Sequence, residues 1–353
     1  MRRGTGLICA VLFVAVTILT GTSAYAGSCE IPGDITISRP DPDNTPTIVA
    51  VGVYLIDVSG IDDVKQTFTA DVYGTMSWHD ARLSDKALGS SLEGCSIELN
   101  EIWHPQINII NQRTFPRFYE DTVKIDNEGN VIYRKRFIGE FSSPVDLKDF
   151  PFDSQGLNVS LTSFRYGPDE VSFSVDRQRT GRLEGFSITE WSVDLGEPRI
   201  SSVHIAPQDR DLSRIDFSLI AKRHAGFYLW KVLLPLALIV LMAWTVFWID
   251  PNEVGAQIAI STASVLTLIA FQISFGYLLP RVSYFTRADM FTFGSTILVF
   301  YALAEGILTT RLAKAGRQRI SLLIDRISRL GYLALLGGLI FFTLFGTNML
   351  NAG

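Results

Sequence analysis

VGAQIAISTASVLTLIAFQISFGYLL, residues 254–279, runs for 26 residues without a single charge. A hydrocarbon layer about 30 Å thick needs ~20 apolar residues to span it as a helix. Three more runs meet that length: 227–249, with Lys231 near one end and Pro235 inside, 290–310, with Glu305 alone, and 330–350, uncharged. Backbone polar groups in lipid must be satisfied within the segment, so each run reads as a membrane helix. Core helices of a soluble protein are the alternative, and four in succession argue against it.

The rest of the chain has a different solvent. Of 353 residues, 47% are hydrophobic and 19% charged, too apolar for disorder. Residues 27–226 hold 31 acidic against 20 basic side chains, a net −11, while the remainder carries +6. An acidic body in water joined to an apolar membrane part follows. Such a surface offers nothing to nucleic acid. Four histidines and three cysteines, none clustered, give no zinc spacing and no disulfide framework.

The first 26 residues read as a signal peptide: Arg2 and Arg3, an apolar run from Leu7 to Thr20, then Ala24-Tyr25-Ala26. A membrane anchor, or a lipoprotein signal ending at Cys29, are the alternatives. Cys29 and Cys95 remain after cleavage, and whether they pair is open. The 311–329 loop carries Arg311, Lys314, Arg317, Arg319, Arg326 and Arg329 against Asp325 alone, which places it in the cytoplasm. The expectation is a multi-pass protein of the inner cell membrane, with its N-terminal body (27–226) and C-terminus on the outer, periplasmic side.

Within that body, 47–58, 67–78, 131–141, 157–163, 171–175 and 215–222 are β-branched, aromatic and often alternating. Asp126-Asn127-Glu128-Gly129-Asn130 and Tyr166-Gly167-Pro168-Asp169 supply turns. No helical pattern intervenes. The pattern predicts an antiparallel β-sandwich.

Certain residues then become familiar. Trp78-His79-Asp80-Ala81-Arg82-Leu83, Trp103-His104-Pro105, and Phe150-Pro151-Phe152-Asp153-Ser154-Gln155 occur in that order, followed by Pro235 and Leu279-Pro280-Arg281. Together they resemble the signatures of pentameric ligand-gated ion channels, the Cys-loop receptor superfamily. The cysteines of eukaryotic members are replaced by Ser143 and Leu157, and the loop between the third and fourth helices is short. Both traits resemble the bacterial branch. The resemblance implies a homopentamer, each chain beside four identical subunits in lipid, with an extracellular β-sandwich over a four-helix transmembrane bundle and a central pore passing monovalent cations.

Two registers are open for the pore helix. In the first, Glu253, Gln257, Ser261, Ser264 and Gln272 form one stripe within about 100° of arc, which Leu268, Phe271 and Phe275 continue outward. Glu253 would then ring the inner mouth and select cations, with the apolar outer half gating by dewetting. Alternatively these polar groups bond to neighbouring helices or to their own carbonyls. The second register, two residues shifted, lines the pore with Ala259, Ala263, Leu266, Ala270 and Ile273. The first is preferred because it gives the pore a polar half.

For the ligand, the resemblance implies Tyr73 and Phe164 in an aromatic box between subunits, with Arg113 and Arg136 near that cleft. Other box positions hold Ile110 and Leu212, too few ring faces for an ammonium cage. Sandwich packing of the two aromatics, and plain solvation of the two arginines, are the bland alternatives. The arginines suit a carboxylate. Acid-responsive members of the family place a glutamate where Gln66 stands and a pore-helix histidine where Leu268 or Leu266 stands.

Asp63, Asp153 and Arg223 match an acid–base–acid cluster at the sandwich–membrane boundary, beside Pro151, Phe152, Pro280 and Tyr284. A purely structural role is the alternative there. No phosphate loop, catalytic triad, metal spacing or cofactor motif is present, so neither an enzyme nor a cofactor is expected. The expected function is a cation-selective channel opened by an unidentified small-molecule agonist or a proton change. Its alternatives are a non-conducting membrane-anchored sensor and an anion-selective channel of the same fold.

Overall fold

The computed structural model describes residues 29, 31, 33, 38–40, 45–113, 121–276 and 282–350. The 1–26 leader and Pro280 lie outside them. Two sheets face each other across a core of Val, Leu, Phe and Trp side chains. Chain order gives β1 (Thr47–Asp62), β2 (Thr67–His79), β3 (Ile97–Glu98), β4 (Ile107–Ile109), β5 (Thr122–Ile125) and β6 (Asn130–Ser142). Then come β7 (Ser154–Ser163), β8 (Val171–Val175), β9 (Gly181–Arg182), β10 (Trp191–Leu195), β11 (Arg199–Ile205) and β12 (Arg210–Arg223).

One sheet runs β3-β5-β6-β2-β1-β8, with β9 also on β1; the other runs β10-β12-β7-β4, with β11 on β12. The pairing is antiparallel except along β1, whose edge partners β8 and β9 run parallel to it. Every strand anticipated from the sequence is present, and β8 has the expected bounds. The strands not anticipated are two to seven residues long; β11 is solvated along most of its length and shows no apolar alternation.

Two motif tryptophans hold the sandwich together. Trp78 meets Trp103 edge-on at 6.2 Å, and Trp103 Nε1 donates to the Tyr166 hydroxyl at 2.9 Å. Asp80, fully buried, caps the turn Ala81–Leu83 and takes a two-point fork from Arg82 at 2.8 and 2.9 Å. Gly129 packs under it with φ +85; a Cβ there would stand 2.3 Å from the Asp80 carbonyl oxygen. Only glycine fits.

Four helices follow: α1 (Gly226–Trp248), α2 (Val254–Gly276), α3 (Arg287–Lys314) and α4 (Gln318–Leu350). All four are long and apolar enough to cross a membrane. In α1 a π-turn, Leu229–Leu233, absorbs Pro235, whose ring nitrogen has no proton to donate. Leu236, Val240, Ala243 and Phe247 of α1 pack with Leu268, Phe291, Leu298, Tyr332 and Leu336. Trp244 Nε1 donates to Arg329 O and Arg329 Nε returns to Phe247 O, each at 2.9 Å, lacing α1 to α4.

The 311–329 segment is not a loop. Helix α3 continues to Lys314, a tight turn at Ala315–Arg317 follows, and α4 begins at Gln318 instead of 330. Ser321, Asp325, Ser328, Tyr332 and Leu336 recur at helical spacing and are all buried. Their polarity hid the stripe, while Arg319 and Arg326 face out.

Cys29 and Cys95 form a disulfide across 66 residues. It ties the leading segment to the sandwich and closes a long loop of the unfolded chain. Cys95→Ser should therefore lower unfolding stability by roughly 2–4 kcal/mol, read as a drop in the melting temperature of the purified protein that reductant reproduces in the unmutated chain.

Candidate functional site

Arg223 closes β12 three residues before α1 begins, so its side chain sits where the sandwich meets the helices. Its Nε donates to Asp153 Oδ1 at 2.7 Å and its Nη2 to Asp63 Oδ2 at 2.8 Å. The guanidinium lies 4.0 Å from the Trp191 ring and 4.9 Å from Phe150. Burial works against its charge, but Asp153 and then Asp63 hold its pKa above the ordinary arginine value. Burial raises the Asp63 pKa despite Arg223, and Asp63 Oδ1 has no partner among the described residues. The three residues expected together from sequence are together.

The 143–157 loop carries Asp153. Ser143 Oγ donates to Gly156 O at 3.2 Å, bridging the two ends of the loop. Gln155 completes the closure, donating to Asp146 O at 2.7 Å and accepting from Asp146 N at 3.0 Å. The same Gln155 donates to Asp153 Oδ2 at 2.6 Å, fixing the carboxylate for Arg223.

The loop docks on the helices through backbone bonds. Arg287 N donates to Lys148 O, Ala288 N to Phe150 O, and Leu147 N to the Tyr284 hydroxyl at 2.9 Å. Arg287 Nε binds Asp149 at 3.0 Å and its charge lies over Phe152. Pro151 is buried in this contact and Phe152 half-buried. Arg287 was not singled out from sequence; its place in the first turn of α3, one residue after the cap Thr286, was the available signal.

On the outer face of the β2–β6 pair, Tyr73 stands directly opposite Arg136. Tyr73 is half-exposed, and Arg136 forks onto Asp71, with Nε 2.9 Å from Oδ1. The Arg136 fork anticipated for a ligand carboxylate thus grips the chain's own aspartate. Phe164 lies just past β7 in the other sheet, 39% exposed, its N bonded to Gln106 O. Arg113 is exposed, its N donating to Glu140 O. The structure joins Tyr73 with Arg136 and leaves Phe164 on the other sheet.

A cavity of about 200 Å³ not anticipated from sequence opens between Trp78, His104, Asp121, Tyr133 and Lys135. Tyr133 and Lys135, two apart on β6, share a face; both hold Asp121, at 2.7 and 2.9 Å. Burial lowers the His104 pKa, with Arg165 adding to it and Asp121 opposing.

The preferred pore stripe does not face outward. Gln257, Ser261, Ser264, Leu268 and Phe275 are buried against the chain's own helices, and Phe271 is partly so. The polar members found partners inside the subunit: Gln257 accepts from Thr310 at 2.7 Å and donates to Ile249 O, and Ser264 donates to Ile260 O. Glu253 is exposed, one residue ahead of α2. The free face carries Ala259, Ala263, Leu266, Ala270 and Ile273, set about 180° from the buried one at 100° per residue.

Comparison with known proteins agrees with this layout. Residues 36–225 match the neurotransmitter-gated ion-channel ligand binding domain, and 232–333 match the transmembrane region of the same channels. The chain belongs to the neurotransmitter-gated ion-channel family. It is 27% identical over 301 residues to a proton-gated ion channel of Gloeobacter violaceus, covering 85% of this chain and 83% of that one. It is 25% identical over 276 residues to the gamma-aminobutyric acid receptor subunit beta-4 of Gallus gallus, covering 76% of this chain and 56% of that subunit.

Two outcomes follow from this geometry. Arg223→Ala strands two buried carboxylates and should cost about 3–5 kcal/mol, seen as a lowered melting temperature that Arg223→Lys partly restores. His104, with its pKa below the unfolded value of 6.5, contributes stability above that pH and loses it as pH falls. Melting temperature should therefore drop on acidification, and His104→Gln should flatten that slope.

Proposed function

We propose that five copies surround a pore lined by the free face of α2, forming a cation-selective channel in the inner cell membrane. The observation that carries this is the division of α2 into a packed face and an opposite face of small and apolar residues. Leu266 and Ile273 lie on that opposite face, 62% and 60% exposed in the single chain. Brought together by fivefold symmetry they form apolar rings that close the pore by dewetting.

The cation preference rests on position. Asp250 and Glu253, both exposed, flank the inner end of α2, and no basic residue lies between Trp248 and Gly276. The net −11 of residues 27–226 raises cation concentration at the other mouth. Exposed Trp230 and Trp248, near opposite ends of α1, suit the two membrane interfaces. Basic Arg311, Lys314, Arg317 and Arg319 put the α3–α4 turn in the cytoplasm, and residues 1–26 serve as the export signal.

The trigger is a small molecule or a proton change sensed by the exported sandwich. Tyr73 and Phe164, on different sheets of one chain, suit a cleft whose two walls come from adjacent copies. Asp63 supports the proton arm: its raised pKa lets it take a proton in milder acid than an ordinary aspartate, releasing one of the two carboxylates on Arg223. The freed guanidinium keeps Asp153, and the loop docked on Ala288 and Tyr284 carries the change to α2 and α3.

The test is current from reconstituted protein in a NaCl gradient, scanned over pH and a panel of carboxylates and amines. A gated current reversing near the sodium potential is expected; reversal at the chloride potential overturns the cation assignment. Leu266→Ser should wet the apolar ring and give current at rest, shifting half-activation by about tenfold, ~1.4 kcal/mol.

A further inference from the structure

Where α3 packs on α4, toward the α3–α4 turn, Glu305 and Asp325 face each other. Glu305 is 5% exposed and Asp325 1%. None of their four carboxyl oxygens has a hydrogen-bond partner among the described residues. The Ser328 hydroxyl lies toward Glu305 and that of Thr309 toward Asp325, and each also bonds another group. Thr309 Oγ1 donates to the carbonyls of Glu305 and Gly306, Ser321 Oγ donates to Thr309 O, and Tyr332 donates to Val240 O. Ser328 Oγ is bonded to the Tyr301 hydroxyl at 3.0 Å.

The charged neighbours do not neutralise the pair by contact. Arg329 acts on both carboxyls from nearby, yet its Nε is given to Phe247 O and its guanidinium stacks 4.4 Å from Trp248. Asp250, from the turn between α1 and α2, adds a further negative charge beside Asp325. Two facing carboxylates withdrawn from water cannot both stay ionised without a cation between them.

The coordination available decides which cation. Hard metal ions take six or so oxygen ligands, and among the described residues no group of three histidine, cysteine, aspartate or glutamate side chains could hold a metal. A proton needs one oxygen on each side. We infer that Glu305 and Asp325 form a proton-binding site that ties α3 to α4 through one shared hydrogen. Uptake adds a solvent proton to one carboxylate and forms an O–H···O bond to the other; release leaves two like charges across the helix contact. The proton comes from the side of the membrane where Asp250 and Arg326 are exposed. The inference rests on the membrane reading of α3 and α4, but not on conduction.

Infrared spectroscopy of the intact protein in lipid tests it without any current. The expected result is a protonated-carboxyl C=O band, sensitive to deuterium exchange, that titrates away as pH rises and is lost in both Glu305→Gln and Asp325→Asn. Should Asp325→Asn fail to fold, loss of the band in Glu305→Gln alone decides. A band unchanged in these variants, or no titrating band at all, overturns the site. So does a melting temperature that follows sodium or potassium concentration in the unmutated protein but not in Glu305→Gln, which would make the occupant a metal ion.

Discussion

One buried guanidinium organises the meeting of two solvents. Arg223 is the last residue of β12, and its backbone is on the way to becoming the first membrane helix. A charge buried at that point is stable only while Asp153 and Asp63 flank it and Trp191 and Phe150 close over it. The partners come from three parts of the sandwich: Asp63 just follows β1, Phe150 and Asp153 lie in the loop before β7, and Trp191 starts β10. Losing the arginine would unfasten three connections at once. The 143–157 loop, which carries Asp153, is in turn docked on α3 by backbone bonds, so sandwich and helices meet through one continuous set of contacts.

The sequence made the two-part architecture legible because lipid is an unforgiving solvent. Four long runs with at most one charge each have few other fates, and the acidic body separated itself by charge. The boundary cluster was legible too, since Asp63, Asp153 and Arg223 needed only their motif context. The short strands β3, β4, β5 and β9 were not, because two to four residues hold no period. The inner turns of α4 were missed for a different reason: polar Ser321, Asp325 and Ser328 form a buried stripe that a hydropathy reading counts as loop.

The pore helix shows where periodicity runs out. Its polar positions share one arc and its small and apolar positions the opposite arc, so the amphipathic pattern was real. What sequence could not say was which arc meets water. Polarity suggested the first, but inside lipid a glutamine or serine is satisfied as well by a neighbouring helix as by a pore. Gln257 with Thr310 and Gln272 with Thr296 show that choice being made. The consequence is a free face of α2 made of alanine, leucine and isoleucine.

The closure of the 143–157 loop has a bearing on how the protein withstands its surroundings. The one covalent cross-link observed among the described residues, Cys29 to Cys95, anchors the leading segment to the sandwich, while the 143–157 loop is closed by Ser143, Gln155 and Asp146 through hydrogen bonds. Chemical reduction can loosen the outer edge of the sandwich without touching the coupling loop. The covalent tie and the hydrogen-bonded loop thus rest on separate chemistries, and closing the 143–157 loop needs no oxidising compartment.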